Sequence, residues 1–185
     1  MKEQSKENPI WYIQYTYSRC CSVICNAKQQ GIVAYENSYS GLNDLLKKNE
    51  SIVLPYMFHK MLAQLLFYAR FFELSVKNYE PYFFASYMIQ TATMFHSIWS
   101  AGITEKELKF IQDDNKQNSN INILIAKCVG ILIKSCLKNT FGIKEKWREC
   151  RFTYLKNIDN YFYNLIFDCI YVYYSFYKYS IVFAK

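Results

Sequence analysis

Two histidines, seven cysteines and one pair of adjacent aspartates are the residues of this chain whose chemistry goes beyond packing and charge. Nucleophilic or general-base work at neutral pH wants an imidazole beside a hydroxyl or thiol. His59 follows Pro55 near the start of a helical stretch and reads as a surface residue, while His96, between Phe95 and Ser97, reads as structural. No Ser–His–acid or Cys–His grouping can be assembled from the spacing, and no GxGxxG, GxxxxGK[ST] or HExxH string occurs. Asp113 and Asp114 precede Asn115 in a polar stretch and read as a solvated turn rather than a metal-binding carboxylate pair. Cys20, Cys21, Cys25, Cys128, Cys136, Cys150 and Cys169 are odd in number, contain no CxxC and follow no leader-like segment. They read as buried thiols of a cytoplasmic protein. Cys21 and Cys25 share a helix face, but no second pair with zinc-site spacing accompanies them. The expectation is therefore no catalytic residue and no metal ligand.

Binding is the remaining chemistry. With 22 basic and 15 acidic side chains the net charge is +7, and 52% of residues are hydrophobic, which sets the chain apart from a disordered tail. Lys127, Lys134 and Lys138 lie at offsets of 7 and 11, within about 40° of one another at 100° per residue. They form either a solvated helix face or a stripe facing phosphates. Aromatics interleaved with lysines suit single-stranded nucleic acid, since cations meet phosphates and rings stack on unpaired bases. The aromatic excess is partly compositional: Phe, Ile, Lys, Asn and Tyr make up 83 of the 185 residues, as in the products of AT-rich genomes.

These residues need helices to position them. Only 5 glycines and 3 prolines occur, too few for a turn-rich sandwich or barrel. Asn8 and Pro9 open a helix over 9–29, striped by Ile10, Ile13, Tyr17, Cys20, Cys21 and Ile24, and Gly31 closes it. A polar loop follows from 33 to 41, then a short helix over 42–49. Pro55 opens one longer helix to 78, along which Met57, Met61, Leu62, Leu65, Leu66, Ala69 and Phe72 keep helical spacing. Pro81 opens another, ending near Gly102. Thr104 and Glu107 form a capping-box pair for a short helix to 111. After a loop over 112–119, the clearest helix spans 120–140, with Ile121, Leu124, Ile125, Cys128, Leu132, Ile133, Cys136 and Leu137 on one face and Gly142 beyond its end. The whole reads as an all-α helical bundle. The uncharged run 81–104 is interrupted by Ser86, Gln90, Thr91, Thr93, His96, Ser97 and Ser100, so its hydropathy is poor for a membrane span. The last 42 residues differ in kind: 14 of them are aromatic, without helical stripe or steady alternation.

The string NPIWYIQYTYSRCCSVICNA, residues 8–27, resembles the segment that opens the anticodon-binding domain of arginyl-tRNA synthetases. Asn8, Pro9, Tyr12, Gln14, Tyr15, Arg19, Cys21 and Ser22 match the family pattern in place, and Tyr17 departs from it where the family usually has His. Residues 79–102 are similar to a second family helix, with Glu80, Pro81, Tyr87, Phe95 and His96 holding their places and Trp99 at its aromatic position. Residues 108–115 fit the connecting loop, and 123–143 resemble the last helix. The likeness covers about residues 3–143, nearly a whole domain of the DALR type.

The resemblance implies a DALR-type anticodon-binding domain over 1–143 and an unassigned tail over 144–185, read as frameshifted, read through or disordered. It implies a partner, the anticodon arm of arginine tRNA, whose loop bases are splayed out and stacked. Tyr12, Gln14, Tyr15 and Arg19 on the first helix and Trp99 on the later one are the expected RNA contacts, with Lys127, Lys134 and Lys138 on phosphates. Tyr12, Tyr15 and Arg19 lie off the apolar stripe, available to RNA or to the family's catalytic domain, and Trp99 reads equally as core. The family's Rossmann core with its HIGH and KMSK-like signatures is not among the 185 residues. The family enzyme uses ATP and magnesium in that core, and whether a separately encoded domain supplies it stays open; this chain is expected to be a cytoplasmic fragment, inactive alone and without a cofactor, binding neither DNA nor membrane. The alternatives are a pseudogene product without function and a membrane-associated protein anchored by residues 160–185.

Overall fold

In the computed structural model of the protein, residues 8–32 and 54–143 are described; the helix expected over 42–49 and the tail over 144–185 lie outside them. Every regular element among the described residues is helical: α1 (Pro9–Gln29), α2 (Tyr56–Leu66), α3 (Tyr68–Asn78), α4 (Pro81–Thr104) and α5 (Lys116–Ser135).

The ends of α1 follow local chemistry. Asn8 Oδ1 accepts from the N–H groups of Ile10 at 3.1 Å and Trp11 at 3.3 Å, and Pro9 takes the first helical position, where its missing N–H is not needed. Gly31 adopts φ +70, which lets its N–H reach Lys28 O and the N–H of Ile32 reach Ala27 O. This left-handed cap returns the chain toward the bundle and buries Ile32.

The single helix expected over 55–78 is two. Phe67 has ψ −5 and its N–H bonds to Gln64 O in a tighter turn, which separates α2 from α3. The cause is tertiary: the buried hydroxyl of Tyr87 donates to the same Gln64 carbonyl at 2.9 Å, and the Gln64 amide donates to Thr91 Oγ1 at 3.2 Å. Beyond the break the stripe loses its register. Met61, Leu62 and Leu65 are buried, but Ala69 and Phe72 are exposed, and Phe58, which the stripe omitted, is fully buried. α3 ends on Tyr79, a non-glycine residue at φ 54, through the N–H of Glu80 to Ser75 O and of Tyr79 to Val76 O. Ser75 Oγ in turn accepts the N–H of Phe84 at 2.9 Å, satisfying a donor in the first turns of α4 that Glu80 does not cap.

The helix expected over 104–111 is only a 3-10 turn, Lys106–Leu108, because α4 continues through Thr104. Thr104 Oγ1 donates back to Ala101 O instead of capping anything downstream. Gly102 permits the crossing, since a Cβ there would stand 2.9 Å from Leu108 O. Leu108 and Phe110 then enter the core, and Phe110 meets the rings of Phe58 and Phe95 at 5.5 and 5.2 Å.

α5 begins four residues before its expected start. Asn115 Oδ1 accepts the N–H of Asn118, and the buried Ser119 hydroxyl accepts from Gln112 N–H, so the polar segment 112–119 supplies a cap rather than only a loop. The far end is also different: residues Cys136–Thr140 form a π-helical turn, with Gly142 at φ +62 after it. Every position expected on the apolar stripe of α5 is buried, and so are Asn122, Ile123, Ala126, Val129, Gly130 and Ile131. A helix enclosed on so much of its circumference is the core of the bundle. α1 packs along it most extensively. The two approach closely at Gly130, where a Cβ would lie 3.2 Å from Cys20 Cβ.

Candidate nucleic-acid interface

Tyr12, Tyr15, Thr16 and Arg19 recur at three- and four-residue steps and so share one side of α1. That side is not the one laid on α5: it faces α4, where His96 and Trp99, three apart, point back. The rings expected to await a partner are thus engaged with α4 and half-buried.

His96 organises the group. Its ring lies 4.9 Å from that of Tyr12 and 5.3 Å from that of Tyr15, the latter stacked within 15°. Trp11 stacks on Tyr15 in turn, centroids 5.2 Å apart. The wholly buried Thr16 hydroxyl donates to Tyr12 O at 3.0 Å and lies 3.0 Å from His96 Nε2. A hydroxyl has one proton, so with that proton on Tyr12 O it accepts from His96, which assigns the hydrogen to Nε2.

Arg19 lies across the end of the group. Its guanidinium carbon is 4.9 Å from the centroid of Tyr15 and 4.9 Å from that of Trp99. Nε–H donates to the Tyr15 hydroxyl at 2.7 Å, and Nη2 donates to the same oxygen. Two ring faces and one hydroxyl hold the cation in a fixed plane, and its five donors exceed the two given to Tyr15. Beyond Trp99 the surface dips into a cavity of about 210 Å³, lined by Val23, Leu108, Phe110 and Ile111 among others, with Lys109 at its edge. Trp99 is therefore neither free nor wholly core: it meets Phe110 inward and Arg19 outward.

Four of the expected contacts, Tyr12, Tyr15, Arg19 and Trp99, come together on this face. Gln14 does not, standing about 100° from Tyr15 on the side of α1 shared with the exposed Ser18 and Ser22. The lysines sit on another helix: Lys127 and Lys134 are half-buried in the narrow uncovered strip of α5, and Lys138 is exposed within the π-helical turn, where 100° per residue no longer applies. His96, Thr16 and Trp11 belong to the face and were not among the expected contacts. The signal for His96 was its position three residues before Trp99.

Elsewhere the chemistry is quiet. His59 is half-buried rather than on the surface, and burial lowers its pKa below 6.5 against a hydrogen bond with the Leu54 backbone. Burial pushes the Cys136 thiol well up, and Cys20, Cys21 and Cys128 are buried with Cys25 half-buried. Among the described residues no three His, Cys, Asp or Glu side chains gather as a metal-holding group. The stretch 116–140 is long and apolar enough to cross a membrane, but 78% of its most apolar window is buried inside the bundle, as befits a core helix.

Fold and face have the build of a helical binding module: a packed bundle presenting rings, an imidazole and a held guanidinium on one half-open side. Residues 13–146 match the family model of the DALR anticodon binding domain. The arginine–tRNA ligase of Rickettsia canadensis (strain McKiel) is 34% identical over 137 residues, 73% of this chain and 23% of that protein. The arginine–tRNA ligase of Rickettsia conorii is 34% identical over 140 residues, and that of Jannaschia sp. (strain CCS1) 30% over 137, covering 75% and 74% of this chain. This chain belongs to the DALR anticodon-binding domain family, and it spans about a quarter of the length of these curated relatives. No solved structure matches it.

Proposed function

We propose that this chain grips an unpaired stretch of tRNA, the anticodon arm of arginine tRNA, with the face shared by α1 and α4. The observation that carries the reading is Arg19 held between the rings of Tyr15 and Trp99, half-open to solvent. Ring faces take unpaired bases by stacking, and a fixed guanidinium meets a base edge or a phosphate. Tyr12 borders the same face, Gln14 reaches RNA from the neighbouring side of α1, and Lys127, Lys134 and Lys138 meet phosphates. In this reading arginylation, with its ATP and magnesium, is the work of a separate catalytic domain, and the module serves translation in the cytoplasm.

The test is a salt series of filter binding with the full chain, using arginine tRNA and the same tRNA with its anticodon bases replaced. Retention should be salt-sensitive and about tenfold weaker for the replaced anticodon, a difference of about 1.4 kcal/mol. Trp99→Ala should erase most of that difference. Lys134→Ala should instead weaken both RNAs alike and lower the salt slope by about one. Equal affinity for every tRNA would reduce the interaction to non-specific electrostatics. An aminoacylation assay on the chain alone should stay at background.

A further inference from the structure

The guanidinium of Arg19 is only as well placed as the ring of Tyr15. Its Nε–H and Nη2 both donate to the Tyr15 hydroxyl, and its carbon stands 4.9 Å from the centroid of the same ring. A turn of that phenol would carry the guanidinium with it and break the contact with Trp99. Two rings lie nearly parallel to Tyr15, Trp11 at 6° and His96 at 15°. They are not equivalent. Trp11 belongs to α1, four positions from Tyr15, and moves with the helix it would have to register. His96 comes from α4 and is tied down. Its Nε2 lies 3.0 Å from Oγ1 of Thr16, the residue after Tyr15, and that wholly buried hydroxyl gives its proton to Tyr12 O. Nε2–H on Thr16 thus fixes where the imidazole stands, and the imidazole plane fixes the phenol. Trp99 follows three residues later on the same side of α4 and meets Arg19 directly. α4 therefore holds Arg19 twice, once through Trp99 and once through His96 and Tyr15.

We propose that His96 is the positioning residue of the RNA face: anchored on Thr16, its ring sets the plane of Tyr15 and so the plane in which Arg19 meets the loop. The inference rests on the RNA-binding reading above and adds a division of labour to it. A guanidinium is a rigid planar fork, so a base edge is matched only when that plane is right. A phosphate met by charge alone tolerates rotation of the cation. His96 should accordingly govern discrimination between loops more than overall affinity.

The experiment reads the full chain in two ways. Without RNA, the Nε–H signal of Arg19 is followed by nuclear magnetic resonance on nitrogen-labelled arginine, assigned by its loss in Arg19→Lys. With RNA, filter binding compares arginine tRNA with the same tRNA carrying replaced anticodon bases. His96→Gln keeps an amide that can donate to Thr16 and removes the ring from Tyr15. Its Arg19 signal should move to the position of a solvated guanidinium, and the tenfold preference between the RNAs should fall to about twofold. Affinity for the replaced-anticodon tRNA should change less than about twofold. In an Arg19→Ala background His96→Gln should lower the preference no further, since the two residues act in series. Thr16→Val, which leaves the imidazole and removes its anchor, is the second variant should His96→Gln lose helicity by circular dichroism; its signal should move in the same direction. An unmoved Arg19 signal in either variant at wild-type helicity would overturn the proposal. So would equal weakening of both RNAs by His96→Gln, or a further loss of preference in the Arg19→Ala background. A shifted signal in a chain whose wild type binds both RNAs alike would instead sink the anticodon reading and uphold the hold of His96 on Arg19.

Discussion

α1 has two working sides, and they are built on opposite principles. Toward α5 it lays the compact side chain of Cys20, close enough that Gly130 opposite cannot carry a Cβ without displacement. Toward α4 it lays Tyr12, Tyr15 and Arg19, large side chains held by stacking, cation–ring contact and a few hydrogen bonds, all half-exposed. The first side gains stability from dense contact, where each missing or extra methyl is felt. The second gives up density to keep ring faces and a guanidinium near solvent. One helix thus serves as wall and, in the function proposed above, as binding surface, and mutations should separate the two roles.

The largest effect should come from the wall. Gly130→Val forces a branched side chain into the contact with Cys20 and should cost about 3 kcal/mol, seen as a fall in thermal midpoint with RNA binding preserved in the fraction that remains folded. A small shift in the midpoint would mean that α1 and α5 are not close-packed. On the other side, Arg19→Ala should weaken arginine tRNA about tenfold while lowering stability by only about 1 kcal/mol, the worth of two partly solvated cation–ring contacts. If its stability cost equals that of Gly130→Val, the two sides are not distinct.

Smaller still is a test outside both faces. Tyr79→Gly relieves a left-handed residue whose ring is 92% exposed, and should raise stability by about 1 kcal/mol without touching RNA affinity. The smallest effect concerns pH. Burial holds His59 below 6.5 in the folded chain, so as pH falls below that value the unfolded chain takes up a proton that the folded one refuses. Stability is therefore full above about pH 6.5 and declines toward pH 5. Thermal melts of His59→Gln at pH 7.5 and 5.5 should show a shallower decline than wild type. An undiminished decline would move the pH sensitivity away from α2.

What was legible in the sequence was local. Asn8, Pro9 and Gly31 mark the ends of α1 because a cap is chemistry between residues a few positions apart. The apolar stripe of α5 is legible because one helix carries its own period. What was not legible depends on distant partners. The break at Phe67 comes from a hydroxyl 23 residues from Gln64, and the capping-box pattern of Thr104 and Glu107 gave way to the close approach of Leu108 to Gly102. On the candidate face, the spacing of Tyr12, Tyr15 and Arg19 already placed them on one side of α1. It could not reveal that His96, 80 residues from Thr16, stands at their centre, because only the packing of α4 brings it there.

The enclosure of α5 has a consequence for the order of events on the ribosome. α5 is the last of the described helices to be synthesised, yet it is the one on which Cys20 and its neighbours must lie. At about 5–20 residues per second, the interval between completing Gln29 and completing Ser135 is about 5–20 s. Throughout it the side of α1 that meets α5 is without that partner. The described bundle cannot close turn by turn as it emerges; it closes when its centre arrives.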